Sequence, residues 1–180
     1  MDHLEYTCIG RANVKKATVL ALSLGASSTI VGVLSTAESA LAPYLNLAFL
    51  LLLLLSILVF VRFIGTRYSY KLLLYPFLEG DLVITELRGS FGKNSKINLT
   101  KTVCRVGIDS ITELVWIESK NDRKKYREIK RSTLREGARW YNYTADLFAQ
   151  KLLIIKIEDG DGISYVKFSP DERLAALLNK

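Results

Sequence analysis

Basic side chains between positions 120 and 139 have the clearest capacity for chemistry in this sequence. That segment carries nine Lys or Arg residues and three Asp or Glu residues, a net charge of +6. The rest of the chain from Thr66 onward has twelve residues of each sign and is neutral. A patch of this kind attracts anions. Its candidates for contact with a lipid or a partner are Lys120, Arg123, Lys124, Lys125, Arg127, Lys130 and Arg131.

Three kinds of partner fit this patch. On a domain held close to a membrane, each basic residue near the surface gains about 1 kcal/mol from anionic lipids, so the patch predicts contact with anionic phospholipid headgroups. An acidic protein partner is an alternative. The same charges are also explained without any partner, by a solvated, mobile loop that follows the positive-inside bias. Nucleic acid fits least well, because Tyr126 is the one aromatic residue inside the cluster and base stacking needs more.

The remaining sequence offers no pattern typical of catalysis or of metal binding. His3 is the single histidine, and neither Cys8 nor Cys104 has a histidine nearby in sequence. A zinc site or a Cys-His catalytic pair therefore lacks its ligands or its base. Two cysteines are also too few for a disulfide framework, so we expect free thiols. The sequence predicts a protein that is not an enzyme and needs neither cofactor nor metal.

Two apolar runs near the N-terminus predict how the basic patch is positioned. Charged residues are absent from 17–37 and from 39–61, with Glu38 alone between these runs. Each run is long enough to cross the hydrocarbon core of a bilayer, about 30 Å at about 1.5 Å per helical residue. We therefore predict transmembrane helices at 17–37 and 41–63 that form a hairpin over 17–65.

Small residues in the first run set it apart from the leucine-rich second run. Gly25 and Gly32 each follow a small residue by four positions, a spacing that lets helix backbones approach closely in a membrane. A weakly hydrophobic helix without special packing explains the composition equally well. Gly25 and Gly32 are accordingly the candidates for transmembrane packing, whether within the chain, against a second copy or against another membrane protein.

The flanking charges predict orientation. Arg11, Lys15 and Lys16 precede the first run, and Arg62, Arg67 and Lys71 follow the second. Basic residues that flank a membrane span are retained on the cytoplasmic side. We therefore expect a multi-pass protein of the inner (plasma) membrane with both termini in the cytoplasm. A competing interpretation treats the first run as a secretory signal cleaved at the small residues of 37–42.

The rest of the chain predicts one strand-rich domain. Residues 1–16 are expected to be a separate cytosolic segment, and 66–180 a cytosolic β domain whose strands alternate with turn signals. A capping pattern at 169–172 predicts a C-terminal helix over 170–179, with proline at its first position. The predicted strands are 68–75, 82–88, 97–105, 111–118, 139–147, 152–158 and 163–168.

The layout and one motif resemble a known family. Two predicted transmembrane helices precede a domain with the sequence Leu-Arg-Gly-Ser-Phe-Gly-Lys at 87–93 and Ile-Asn-Leu at 97–99. This is similar to membrane-anchored bacterial PH-like domain proteins, although Asn98 stands where that family often has proline. The resemblance implies an α+β fold in which a mostly antiparallel, partly open barrel is closed by the C-terminal helix. It implies no activity, because one fold hosts many functions.

Two functions are therefore expected from the sequence. The first is a non-enzymatic, membrane-anchored PH-like module that binds a protein partner or anionic lipid at the cytoplasmic face. The alternative is an accessory subunit of a transporter or secretion complex that docks through its transmembrane hairpin.

Overall fold

The computed structural model describes residues 4–10, 13–36, 40–75, 80–89, 97–118, 122–147, 149 and 151–178, without the side chains at 97–99 and 123. These residues form four α-helices and eight strands. The helices are α1 (Val14–Ser35), α2 (Ala42–Val59), α3 (Arg123–Arg135) and α4 (Glu172–Leu178). The strands are β1 (Leu4–Ile9), β2 (Thr66–Leu74), β3 (Asp81–Gly89), β4 (Ile97–Gly107), β5 (Ile111–Ile117), β6 (Arg139–Tyr143), β7 (Leu152–Asp159) and β8 (Gly162–Phe168).

The strands form two four-stranded sheets, which confirms the mixed α+β class. The first sheet has the order β1-β2-β3-β4 and the second the order β5-β7-β8-β6. All pairs are antiparallel except β6 with β8, which is parallel and departs from the antiparallel arrangement expected from the sequence. The described residues show no closed barrel, so the PH-like barrel stays a prediction.

The first strand corrects the sequence-based domain division. Residues 4–9, expected to be part of a separate cytosolic segment, pair along their whole length with β2, from Leu4 opposite Leu74 to Ile9 opposite Ser69. The predicted transmembrane hairpin is therefore an insertion between two paired strands. The pairing of β1 with β2 is not predictable from local sequence, because two long helices separate the strands and no turn signal joins them.

The core lies between the two sheets. Alternate residues of β2 point inward, and Tyr70 and Leu72 are fully buried there. The second sheet contributes Leu153, Ile155 and Phe168 from β7 and β8 to the same cluster. A strand with one buried face alternates in this way because successive side chains point to opposite faces.

The C-terminal helix closes this core. It begins at Glu172 rather than at Pro170, because the Asp171 carboxylate accepts a hydrogen bond from the Leu174 amide at 2.9 Å and so caps the helix. Leu174 is fully buried, and Leu177 and Leu178 pack against the core. The predicted apolar face is therefore the face that contacts the sheets.

The helices α1 and α2 are long and apolar enough to cross a membrane. They start and end within a few residues of the predicted spans. None of the residues of α2 is buried, and most of its leucines are exposed. A soluble protein rarely exposes an apolar surface of this size. The two helices pack against each other through small residues and two hydroxyl groups: Ser28 donates to the Phe49 carbonyl at 3.3 Å, and Ser56 donates to the Ala21 carbonyl at 2.8 Å.

Gly25 and Gly32 both lie against α2. A Cβ atom added at Gly25 would lie 3.6 Å from Ser56 Oγ, and one added at Gly32 would lie 3.0 Å from Phe49 Cδ2. The close approach of the two helices therefore occurs within this chain at both glycines.

Replacing Gly32 with leucine is expected to destabilise the hairpin by about 1–3 kcal/mol, because the side chain must displace the Phe49 ring in a packed interface. Thermal unfolding of the full chain in a mild detergent measures this loss. Val19→Leu is the matched control, since Val19 is an exposed residue of the same helix. Equal melting temperatures for the two variants would show that Gly32 does not lie in a tight contact.

Both ends of the hairpin lie at one end of the domain. A π-helical turn (Phe60–Ile64) follows α2 and leads directly into β2, while α1 begins shortly after β1. Gly10 continues the pairing by donating its amide to the Tyr68 carbonyl at 2.9 Å. We call this end of the two sheets, which holds Thr66, Tyr68 and Gly10, the hairpin end.

Candidate anion-binding surface

The basic segment forms an ordered helix on the outer face of the second sheet. Tyr126 and Ile129, three residues apart in α3, pack against a small cluster around Val115, Ile154 and Tyr165. The Tyr126 ring meets the Trp140 ring edge-on at 6.1 Å between centroids. Thr133, one helical turn after Ile129, is also buried. These contacts hold one side of α3 on the sheet and leave the other to solvent, so the mobile loop considered from the sequence is not present over Arg123–Arg135.

The exposed side of α3 is strongly basic. Seven of its thirteen residues are Lys or Arg, and Glu128 is its one acidic residue. Lys120 lies outside the described residues, and nothing is described of the Arg123 side chain. The remaining candidates are all exposed. We call them the basic face of α3: Lys124, Lys125, Arg127, Lys130 and Arg131.

The start of α3 lies at the hairpin end of the domain. Ile117 at the end of β5 pairs with Leu152, and the next residue of β7, Leu153, pairs with Phe168. Phe168 in turn pairs with Tyr143 in β6, so the end of β5 and the end of β6 share one end of the sheet. The Arg62 guanidinium donates to the Asn142 carbonyl at 2.6 Å and also to the Tyr68 hydroxyl. The last turn of the hairpin therefore contacts that end, where α3 begins.

The charge of the first turn opposes helix stability. Positive side chains near a helix N-terminus are unfavourable, because the macrodipole places partial positive charge there. The first turn of α3 contains basic residues and no acidic one. The Asp122 carboxylate accepts from the Glu118 amide at 3.0 Å and makes no capping bond to α3. The basic residues of the first turn are therefore not explained by the helix macrodipole.

Three cations from separate elements lie near the hairpin end. Lys167 of β8 pairs in register with Asn142, whose carbonyl binds Arg62, and its Nζ lies 5.3 Å from the centre of the Tyr126 ring. Lys130 follows Tyr126 by one helical turn. Burial lowers the pKa of Lys167, and the charges of Lys130 and then Arg62 lower it further. Sequence reasoning missed Lys167, because nothing local links a strand residue to a helix more than thirty positions away.

A cleft of about 1160 Å³ lies between β1, the start of α1 and α4, away from the basic face of α3. Its walls carry both signs of charge. Lys151 is paired with Glu172 there, and the Arg173 guanidinium lies 5.0 Å from the centre of the Tyr6 ring. The cleft therefore lacks the single-sign field of α3, and its charged lining residues are Lys15, Lys16, Asp146, Lys151, Asp171, Glu172 and Arg173.

The cysteines offer no reactive group in this structure. Burial raises the pKa of Cys8 to about 11, and burial raises the pKa of Cys104 to about 11 as well. Both thiols therefore stay protonated at neutral pH, and the thiolate is the reactive form. In the part of the chain that the structure describes, no group of three or more His, Cys, Asp or Glu side chains is arranged to hold a metal ion.

Comparisons with known proteins add no assignment. A scan against protein-family models, a search of curated proteins and a search of solved structures each found no match.

Proposed function

We propose that this chain is a non-enzymatic, membrane-anchored PH-like module whose basic helix α3 docks on anionic lipid at the cytoplasmic surface of the membrane. The observation that carries the proposal is the position of the basic face of α3. It starts at the end of the domain from which two helices able to cross a membrane emerge.

Membrane insertion of α1 and α2 as a hairpin is supported by the pairing of β1 with β2. Paired strands lie about 5 Å apart, so the chain must leave and return on one side of the membrane. The basic residues Lys15, Lys16, Arg62 and Arg67 flank that side and favour the cytoplasm. Removal of α1 as a cleaved signal would sever β1 from β2, which argues against the secretory interpretation.

Anionic lipid is favoured over the other partners because of distance and charge. The start of α3 shares the hairpin end with Arg62, so its basic side chains lie close to the headgroups of the same membrane. Each contributes about 1 kcal/mol near an anionic surface. The contacts of Gly25 and Gly32 within the hairpin add no support to the alternative of docking to a larger membrane complex.

A fluorophore on α3 tests this docking in the full chain. We expect a label attached through Glu128→Cys, in a background without native cysteines, to be quenched by lipids that carry a headgroup quencher. The quenching should be strong in anionic bilayers at low salt and fall by more than half at about 0.5 M salt, where the screening length is well below 10 Å. A label at Gly160→Cys is the matched control. Gly160 lies in the turn after β7, an eight-residue strand about 25 Å long, and so at the far end of the sheet.

Neutralising four of the five residues of the basic face of α3, with Lys130 left in place, separates the effect of charge from the effect of the membrane tether. With Lys124, Lys125, Arg127 and Arg131 replaced by glutamine, quenching in anionic bilayers should fall to the level seen in neutral bilayers. Quenching that is indifferent to lipid charge and to these substitutions would contradict the proposal and indicate that α3 faces the solvent or a protein.

A further inference from the structure

The cluster of Arg62, Lys130 and Lys167 shares the exposed Lys130 with the basic face of α3 and adds two half-buried cations, Arg62 and Lys167. Lys167 projects from the outer face of the second sheet beneath α3, with the Tyr126 ring on one side. Arg62 is held at the strand edge by its bonds to Asn142 and Tyr68. These three side chains reach one region from the hairpin, a strand and a helix, and in the described residues no carboxylate forms an ion pair with any of them.

We propose that Arg62, Lys130 and Lys167 form a binding site for the phosphate of a phosphomonoester lipid headgroup. This inference rests on the proposed function, since it names the lipid chemistry that the docked domain selects. The Arg62 guanidinium offers planar donors suited to phosphate oxygens, and the two lysines act as point charges. Arg62 lies in the π-helical turn that continues α2, near the end of the candidate membrane span, which would place the site at headgroup depth when the hairpin is inserted.

A phosphomonoester fits better than a phosphodiester for two reasons. Its charge approaches −2 at neutral pH, against −1 for a diester, so it offsets more of the repulsion among three cations. It also has three terminal oxygens, one for each cation. Burial is the main reason that the pKa of Lys167 is lowered, and the positive charges of Lys130 and Arg62 lower it further. A bound dianion would relieve this repulsion.

Titration of the full chain in neutral detergent micelles tests the site without an anionic surface. A Trp116→Phe background leaves Trp140, which contacts Tyr126, as the single tryptophan. We expect dihexanoyl phosphatidic acid to change Trp140 fluorescence saturably, at a concentration about tenfold below that needed for dihexanoyl phosphatidylglycerol or inorganic phosphate. Lys167→Gln and Lys130→Gln should each raise the half-saturation concentration about tenfold.

Two controls make the result decisive. Lys101→Gln removes one charge from an exposed position in the other sheet and should leave the titration unchanged. Lys130 is exposed on α3, so its variant folds even if Lys167→Gln does not. Equal half-saturation for the two lipids, or equal effects of Lys130→Gln and Lys101→Gln, would overturn the site. Equally tight binding of inorganic phosphate would overturn the lipid assignment. Bilayer docking of α3 can succeed or fail independently, because the micelle contains no anionic lipid beyond the probe.

Discussion

A chain that begins at Thr66 is expected to be about 2–4 kcal/mol less stable than one in which Asn-Gly replaces residues 11–65 and keeps β1 attached. The difference comes from β1 alone, because both chains lack the hairpin. Without β1 the outer edge of β2 loses its backbone partners, and Tyr6 and Cys8 no longer cover the core around Tyr70. Burial of one large apolar side chain contributes about 1.5–3 kcal/mol when complete, and these two are buried in part.

Urea unfolding monitored by tryptophan fluorescence measures that difference. The joined chain leaves four residues between Gly10 and Tyr68, a loop length found in natural hairpins. Tyr6→Ala in the joined chain is a useful intermediate, since it keeps the strand but removes both the ring and its hydrogen bond to the Asp171 carboxylate. If all three chains unfold at the same urea concentration, β1 does not belong to the stable sheet.

Replacing Tyr70 with alanine is expected to lower the melting temperature of the full chain in detergent by about 10 °C or more, from a loss of about 3–5 kcal/mol. Tyr70 is fully buried, and its ring packs on Phe168 at 5.2 Å between centroids. Its hydroxyl donates to the Tyr143 carbonyl at 2.8 Å and accepts from the Ser169 amide at 3.3 Å. One side chain thus joins β2 to β6 and to the segment before α4.

Two further variants divide the effect of Tyr70 into its parts. Tyr70→Phe keeps the ring and leaves the two backbone groups without that partner, at a cost of about 1–3 kcal/mol. Tyr141→Ala removes an exposed ring that stacks on Tyr143, which costs about 0.5–1.5 kcal/mol. Equal melting temperatures for Tyr70→Ala and Tyr141→Ala would contradict the position of Tyr70 in the core.

Local patterns predicted much of the architecture. The two apolar runs became α1 and α2, because length and the absence of charge identify a spanning helix without knowledge of its partner. Short strand-forming runs bounded by turn signals located β2, β7 and β8 to within two residues at each end. The capping residues before α4 predicted that helix, although Asp171 rather than Ser169 supplies the cap.

Features that depend on distant partners were not predictable. The strand β1 is short and its register is set by β2, beyond two helices. The helix α3 carries Tyr126 and Ile129 on one face, but two apolar residues among seven basic ones give a weak helical period, and charge dominated the interpretation. The cluster of Arg62, Lys130 and Lys167 joins three elements that meet only in the folded chain. In the sequence, nothing distinguishes Lys130 and Lys167 from other polar residues on the exposed side of a helix or a strand.

The insertion of the hairpin between β1 and β2 also sets the order of events during synthesis. β1 leaves the ribosome first, yet its partner is made only after both apolar helices have emerged. Until then β1 has an unpaired edge and a long loop to close, a slow step by comparison with local hairpin formation. The first sheet can therefore be completed only after both helices have been made and the two ends of the hairpin lie side by side. Under the proposed membrane topology, a second helix that failed to insert would hold β1 and β2 on opposite sides of the bilayer. The first sheet would then not form, and the incorrectly inserted chain would stay open to proteolysis.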